Sequence, residues 1–77
     1  MKLSKERIDE IRRHPLLALV WASWTKEVTI NQNEEGNWTK LTWLDFAGYE
    51  NKAFMCNNPL DIPEGLTITL EREDGNN

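Results

Sequence analysis

Three hydrophobic patterns succeed one another along this chain. In residues 1–13 the apolar positions are sparse and helically spaced. Ile8 and Ile11 share one face, while Asp9, Glu10, Arg12 and Arg13 take the wetter side. Ser4 reads as an N-cap, Glu6 in the first turn suits the positive helix pole, and Leu3 with Ile8 fits a hydrophobic staple. His14-Pro15 then predicts a break or strong kink, because a residue before proline avoids the α region and proline lacks the N–H that the preceding turn needs.

The second pattern is the run "LLALVWASW", residues 16–24, which is apolar on nearly every side. Pro15 is a good first residue for a helix, and the leucines and alanines after it favour one. A buried strand is the rival reading, since periodicity alone does not separate the two. A run apolar all round is expected in a core, with side chains such as Leu17, Leu19 and Val20 buried. The alternative is that Leu17, Val20, Trp21 and Trp24 form a homodimer interface, because a short helix against one sheet leaves its outer side open. Nine residues are about half of what spans a bilayer, so no membrane partner is expected.

The third pattern has period two. Trp24, Lys26, Val28 and Ile30 point one way, and Thr25, Glu27 and Thr29 the other. "NEEGN", with Gly36, turns the chain into "WTKLTWLDF", and together they read as a hairpin. In that second strand Leu41 and Trp43 share one side while Trp38, Leu44 and Phe46 share the other, which marks a central strand or one covered on both faces. "AGYENK" is a turn, "AFMCN" a short third strand, and "NNPLDIPEG" a loop closed by a tight turn at Pro63–Gly65. "LTITLERE" is a strand with Leu66, Ile68 and Leu70 facing a core. The fold class is α+β: an N-terminal helix, kinked or broken at Pro15, packed on a four-stranded, mostly antiparallel sheet. One domain covers residues 1–77, with residues 1–3 and 73–77 frayed.

Composition narrows the function more by exclusion than by assignment. With one cysteine, Cys56, and one histidine, His14, the chain forms no internal disulfide and no Cys/His zinc site. A lone thiol and a charged N-terminus without the apolar core of a signal peptide fit a cytoplasmic protein, bacterial or in an infected host cell. The sequon at Asn37-Trp38-Thr39 is then a chance match. The net charge of −4 is uneven: residues 1–13 carry +2 and residues 27–77 carry −7. An acidic sheet region repels phosphates, so nucleic acid is disfavoured as a partner and a basic protein surface is favoured.

Catalytic chemistry is hard to place. His14 at a helix break and Cys56 at a strand end have no spacing that pairs them, so a capping or solvent-facing histidine and a buried cysteine are expected. Glu34, Glu35, Asp45, Glu50, Asp61 and Glu64 fall in or near turns, where carboxylates are usually solvated. The four glycines are scattered as turn residues and build no phosphate cradle. No catalytic residue, metal site or cofactor is expected.

The four tryptophans stand out. Trp38 and Trp43 are five apart and face opposite ways on a regular strand, so one of them lies on a second face. The reading is a small acidic protein-binding module of inhibitor or adaptor type. Trp38 or Trp43, with Tyr49, would anchor it, and Glu34, Glu35, Asp45 and Glu50 would steer it to a basic partner. The alternatives are an assembly protein that oligomerises through residues 16–24 and, lower still, a single-strand nucleic-acid binder using the sheet aromatics. In general character the chain resembles the small accessory proteins of bacteria and their phages, a similarity of type that rests on no particular residues.

Overall fold

Helix α1 runs from Lys5 to Arg12 and begins where the sequence places its cap: the Ser4 hydroxyl accepts the Arg7 N–H at 3.1 Å. The structure is a computed structural model and describes residues 3–73. The chain breaks at His14, whose Nδ1 accepts the Leu16 N–H at 3.1 Å, and restarts as a 3-10 turn over Pro15–Leu17. Helix α2, Ala18–Ala22, continues directly from it. The helical reading of this run therefore holds, in two short pieces.

Four strands complete the chain: β1 Glu27–Gln32, β2 Trp38–Leu44, β3 Glu50–Cys56 and β4 Thr67–Glu71. They form one antiparallel sheet in the order β3-β2-β1-β4. β2 is an interior strand, as its pattern indicated. Strand β3 begins at Glu50 rather than at Ala53, because the preceding turn is completed within Asp45–Tyr49. The register places Val28 opposite both Trp43 and Leu70, and Ile30 opposite both Leu41 and Ile68. These side chains point to one face, where they meet Ile11 of α1, Leu17, Val20 of α2, and Leu60 and Ile62 from the loop after β3.

That loop is a larger part of the core than its prolines and asparagines indicated. The Asn58 side chain donates to the Ile62 carbonyl at 2.7 Å and accepts the Ile62 N–H at 2.9 Å. This clamp folds Leu60 and Ile62 inward until both are fully buried. Arg7 of α1 donates to the Leu60 carbonyl and ties the loop to the helix layer.

Other expectations are corrected. The 16–24 run is not buried on every side. A single helical layer has one face toward the sheet, so Leu17 and Val20 are buried while Leu19 is 65% exposed and Leu16 is exposed with it. Nor does Trp24 share a strand face with Val28. It sits at φ 60° just past the end of α2, where its N–H bonds the Trp21 carbonyl, and the strand starts only at Glu27. Within the end segments 1–3 and 73–77, Leu3 packs against the core and Glu73 pairs with Arg13 at 2.9 Å. Residues 1–2 and 74–77 of those segments lie outside the described residues.

Candidate interaction surface

The helices cover one face of the sheet and leave the other uncovered. Strand alternation decides which residues lie there. From β2 they are Trp38, Lys40, Thr42 and Leu44; from β3 they are Glu50, Lys52, Phe54 and Cys56. The threonines Thr29, Thr67 and Thr69 continue this face across β1 and β4, with Thr29 and Thr69 hydroxyls 3.3 Å apart. Cys56 is consequently exposed, not buried, because it has the parity of Phe54 rather than that of Met55.

Two apolar clusters occupy opposite ends of this face. At the hairpin end, Trp38 and Phe54 meet edge to face with ring centroids 6.1 Å apart. At the other end an open groove of about 660 Å3 lies between the Trp24–Glu27 segment and the β2–β3 turn, over a floor that includes Thr29 and Thr42. Its apolar walls are Trp24, 75% exposed, Leu44, and Phe46, 80% exposed. The Trp24 ring is held by Arg72, whose guanidinium lies 5.4 Å from the ring centroid, while the same side chain donates to the Trp21 carbonyl at 2.7 Å. A bulky side chain at positive φ carries backbone strain, so Trp24 is displayed at a cost to the fold.

The structure divides the residues proposed from sequence. Trp43 points inward with Leu41 and is buried, and its indole Nε1 finds no hydrogen-bond acceptor among the described residues. Trp38 is the ring that faces out. Glu34 and Glu35 lie in the β1–β2 hairpin loop, at the Trp38 end of the sheet. Asp45, Tyr49 and Glu50 lie at the far end of β2, about 20 Å away at the usual rise per residue. The residues therefore form two groups and not one site.

Asp45 is already occupied. One carboxylate oxygen accepts the N–H groups of Ala47 and Tyr49 at 2.9 and 3.0 Å, and the other accepts Asn51 Nδ2 at 3.0 Å. The Asn51 bond and then the turn N–H groups hold this carboxyl below its usual range. Asp45 shapes the turn that presents Phe46 and Tyr49. Glu34, Glu35 and Glu50 remain exposed.

Of the interface proposed from the apolar run, Leu17 and Val20 are 0% exposed and belong to the core of the protomer. Trp21 is half-buried, its Nε1 donating to the Arg12 carbonyl at 2.8 Å, which joins α2 to the end of α1. Only Trp24 of those four is freely exposed. Sequence reasoning missed Phe54, because "AFMCN" by itself assigns its short strand no face. Its parity with Trp38 across the β2–β3 register could have been found only once the start of β3 was known.

His14 uses Nδ1 as a cap and Cys56 ends β3, with no bond between them. Among the described residues no group of three or more His, Cys, Asp or Glu side chains is placed to hold a metal ion. None of their helices is long and apolar enough to cross a membrane. Set against known proteins, the chain matches no family model, no curated protein and no solved structure.

Proposed function

We propose that this chain is a small, non-enzymatic protein-binding module that acts by occupying a surface on a larger partner, as an inhibitor or adaptor does. The uncovered sheet face is its contact surface. The observation that supports this most is the display of large apolar side chains there, with Trp24, Phe46 and Phe54 all more than half exposed. Exposed aromatic clusters of this kind mark interaction sites, and tryptophan and tyrosine are the residue types enriched at binding hot spots. Glu34 and Glu35 beyond one cluster, and Glu27 and Glu50 beside the other, would steer the module toward a basic partner.

The test is capture from a nuclease-treated lysate of the source organism, comparing the native sequence with Phe46→Ser and Phe54→Ser, both checked for folding by circular dichroism. The expected result is one stoichiometric protein bound by the native sequence and lost by at least one variant. Recovery of no protein, or equal recovery by all three, overturns the proposal. The single-strand nucleic-acid reading has Lys40 and Lys52 beside the Trp38–Phe54 pair in its favour, and Glu27, Glu50 and Glu71 on the same face against it. Tryptophan quenching by an oligonucleotide that disappears with added salt would favour that reading over the protein partner.

A further inference from the structure

The two edges of the sheet are not alike. On β4, the bonds from the Gln32 N–H to the Leu66 carbonyl and from the Arg72 N–H to the Lys26 carbonyl fix which residues turn toward β1. Those between, Thr67, Thr69 and Glu71, direct their backbone groups outward, since hydrogen-bonded pairs alternate along an antiparallel ladder. That edge is partly closed from within, because Arg12 Nε of α1 donates to the Glu71 carbonyl at 2.7 Å.

Beside β3, the Asp45 N–H bonds the Tyr49 carbonyl and the Asn57 N–H bonds the Asn37 carbonyl. These bracket a ladder in which Asn51, Ala53 and Met55 bond to β2. Glu50, Lys52, Phe54 and Cys56 therefore direct their N–H and C=O groups away from the sheet. Among the described residues no strand pairs with this edge and no side chain bonds to it. β3 has seven residues without a proline, and it is paired with β2 one to one throughout, so no bulge twists it away. None of its residues is fully buried, so the helix layer stops short of it. Such an edge is a template for another strand.

We infer that this chain forms a two-fold dimer in which β3 pairs antiparallel with β3 of a second copy, making one continuous eight-stranded sheet. Self-complementarity selects the second copy as occupant and also selects the register. A two-fold axis at Ala53 pairs every residue of Glu50–Cys56 and puts Lys52 opposite Phe54, Glu50 opposite Cys56, and Asn51 opposite Met55. No like charges face each other, and each Lys52 stem covers an exposed Phe54 ring. An axis at Lys52 would oppose two lysines, and an axis at Phe54 would leave Glu50 and Asn51 unpaired. The axis stands perpendicular to the sheet, so both helix layers lie on one side, and on the other the groove walled by Trp24, Leu44 and Phe46 stays open while Phe54 sits at the seam. The dimer takes up Phe54 and leaves Trp24 and Phe46 free for the proposed partner. A strand pair with its flanking side chains buries area at the low end of specific interfaces, so the dimer is weak and concentration-dependent.

Two measurements test it. The first is sedimentation from micromolar to millimolar concentration, where the mass should rise toward twice the 9.0 kDa of the chain. Lys52→Pro removes only an outward N–H on an edge strand, where proline is tolerated. It should weaken association about tenfold or more, because symmetry deletes two hydrogen bonds at once. The second keeps the inference testable even if that variant misfolds. On a Cys56→Ser background, Ala53→Cys places two thiols across the axis in a non-hydrogen-bonded pair, where Cα atoms are about 4.5 Å apart and a disulfide fits. It should oxidise to a covalent dimer much faster than Lys52→Cys or Phe54→Cys. A mass of one chain at every concentration, or equal cross-linking at all three positions, overturns the inference.

Discussion

Trp24 shows how one residue can be chosen against the preferences of its own backbone. At φ 60° it takes the left-handed conformation that closes α2, a position where glycine is the usual residue. For an L-residue that conformation costs roughly 1–2 kcal/mol. The ring recovers part of this through Arg72, and an exposed cation–π contact is worth about 0.5–1 kcal/mol. Trp24→Ala keeps the strain and loses the ring, whereas Trp24→Gly loses both. The glycine variant should therefore unfold at higher denaturant than the alanine variant, by about 1 kcal/mol, reversing the order usual elsewhere. If alanine proves the more stable of the two in urea titrations, the left-handed conformation is not what limits this site. Nothing in the sequence marked Trp24 in this way. Its spacing with Lys26 and Val28 imitates strand alternation, and only the helix end that precedes it breaks the pattern.

At the scale of elements, the caps and alternations were legible and the faces were only half so. Ser4, His14-Pro15 and Gly65 act locally, so their roles could be read from the neighbouring residues alone. Which side of α2 faces the sheet depends on tertiary placement, and a run apolar all round holds no information about it. Leu17 and Leu19 show the consequence: two residues apart, one is fully buried and the other 65% exposed. Leu17→Ala should cost about 2–5 kcal/mol in chemical denaturation, and Leu19→Ala less than about 0.5 kcal/mol. Comparable losses at both would mean that Leu19 is covered in solution. The β2–β3 turn carries a different dependence. Hydrogen bonds to the Asp45 carboxylate depress its pKa in the folded state. Its contribution to stability is therefore fully present above the ordinary carboxyl range and disappears as pH falls through the depressed value. On acidification the Ala47 and Tyr49 amide resonances should titrate together below the usual aspartate midpoint, and Asp45→Asn should abolish that titration. A midpoint at the ordinary value would mean that the carboxylate does not hold the turn in solution.

Across the whole molecule, order is distributed as the sheet is. β1 is flanked on both sides and contributes Val28, Ile30 and Gln32, each 0% exposed. Buried Gln32 donates to the Trp38 carbonyl at 2.9 Å, accepts from the Thr39 hydroxyl, and so locks β1 to the start of β2. β3 has one neighbour, no fully buried residue and an open edge. In a domain this small, local opening need not cost as much as global unfolding, and it begins where buried contacts are fewest. Amide exchange of dilute protein should therefore be slowest in β1 and β2 and faster at the inward-bonded Asn51, Ala53 and Met55. The outward amides of Lys52 and Phe54 should exchange fastest in that strand. Raising the concentration should slow Lys52 and Phe54 most, because edge pairing gives those N–H groups their only strand partner. If their exchange is unchanged by concentration while their neighbours remain protected, the edge stays open to water and the molecule acts as a single chain. If all β3 amides exchange as slowly as those of β1 in dilute solution, opening is global and the asymmetry of the sheet has no dynamic expression.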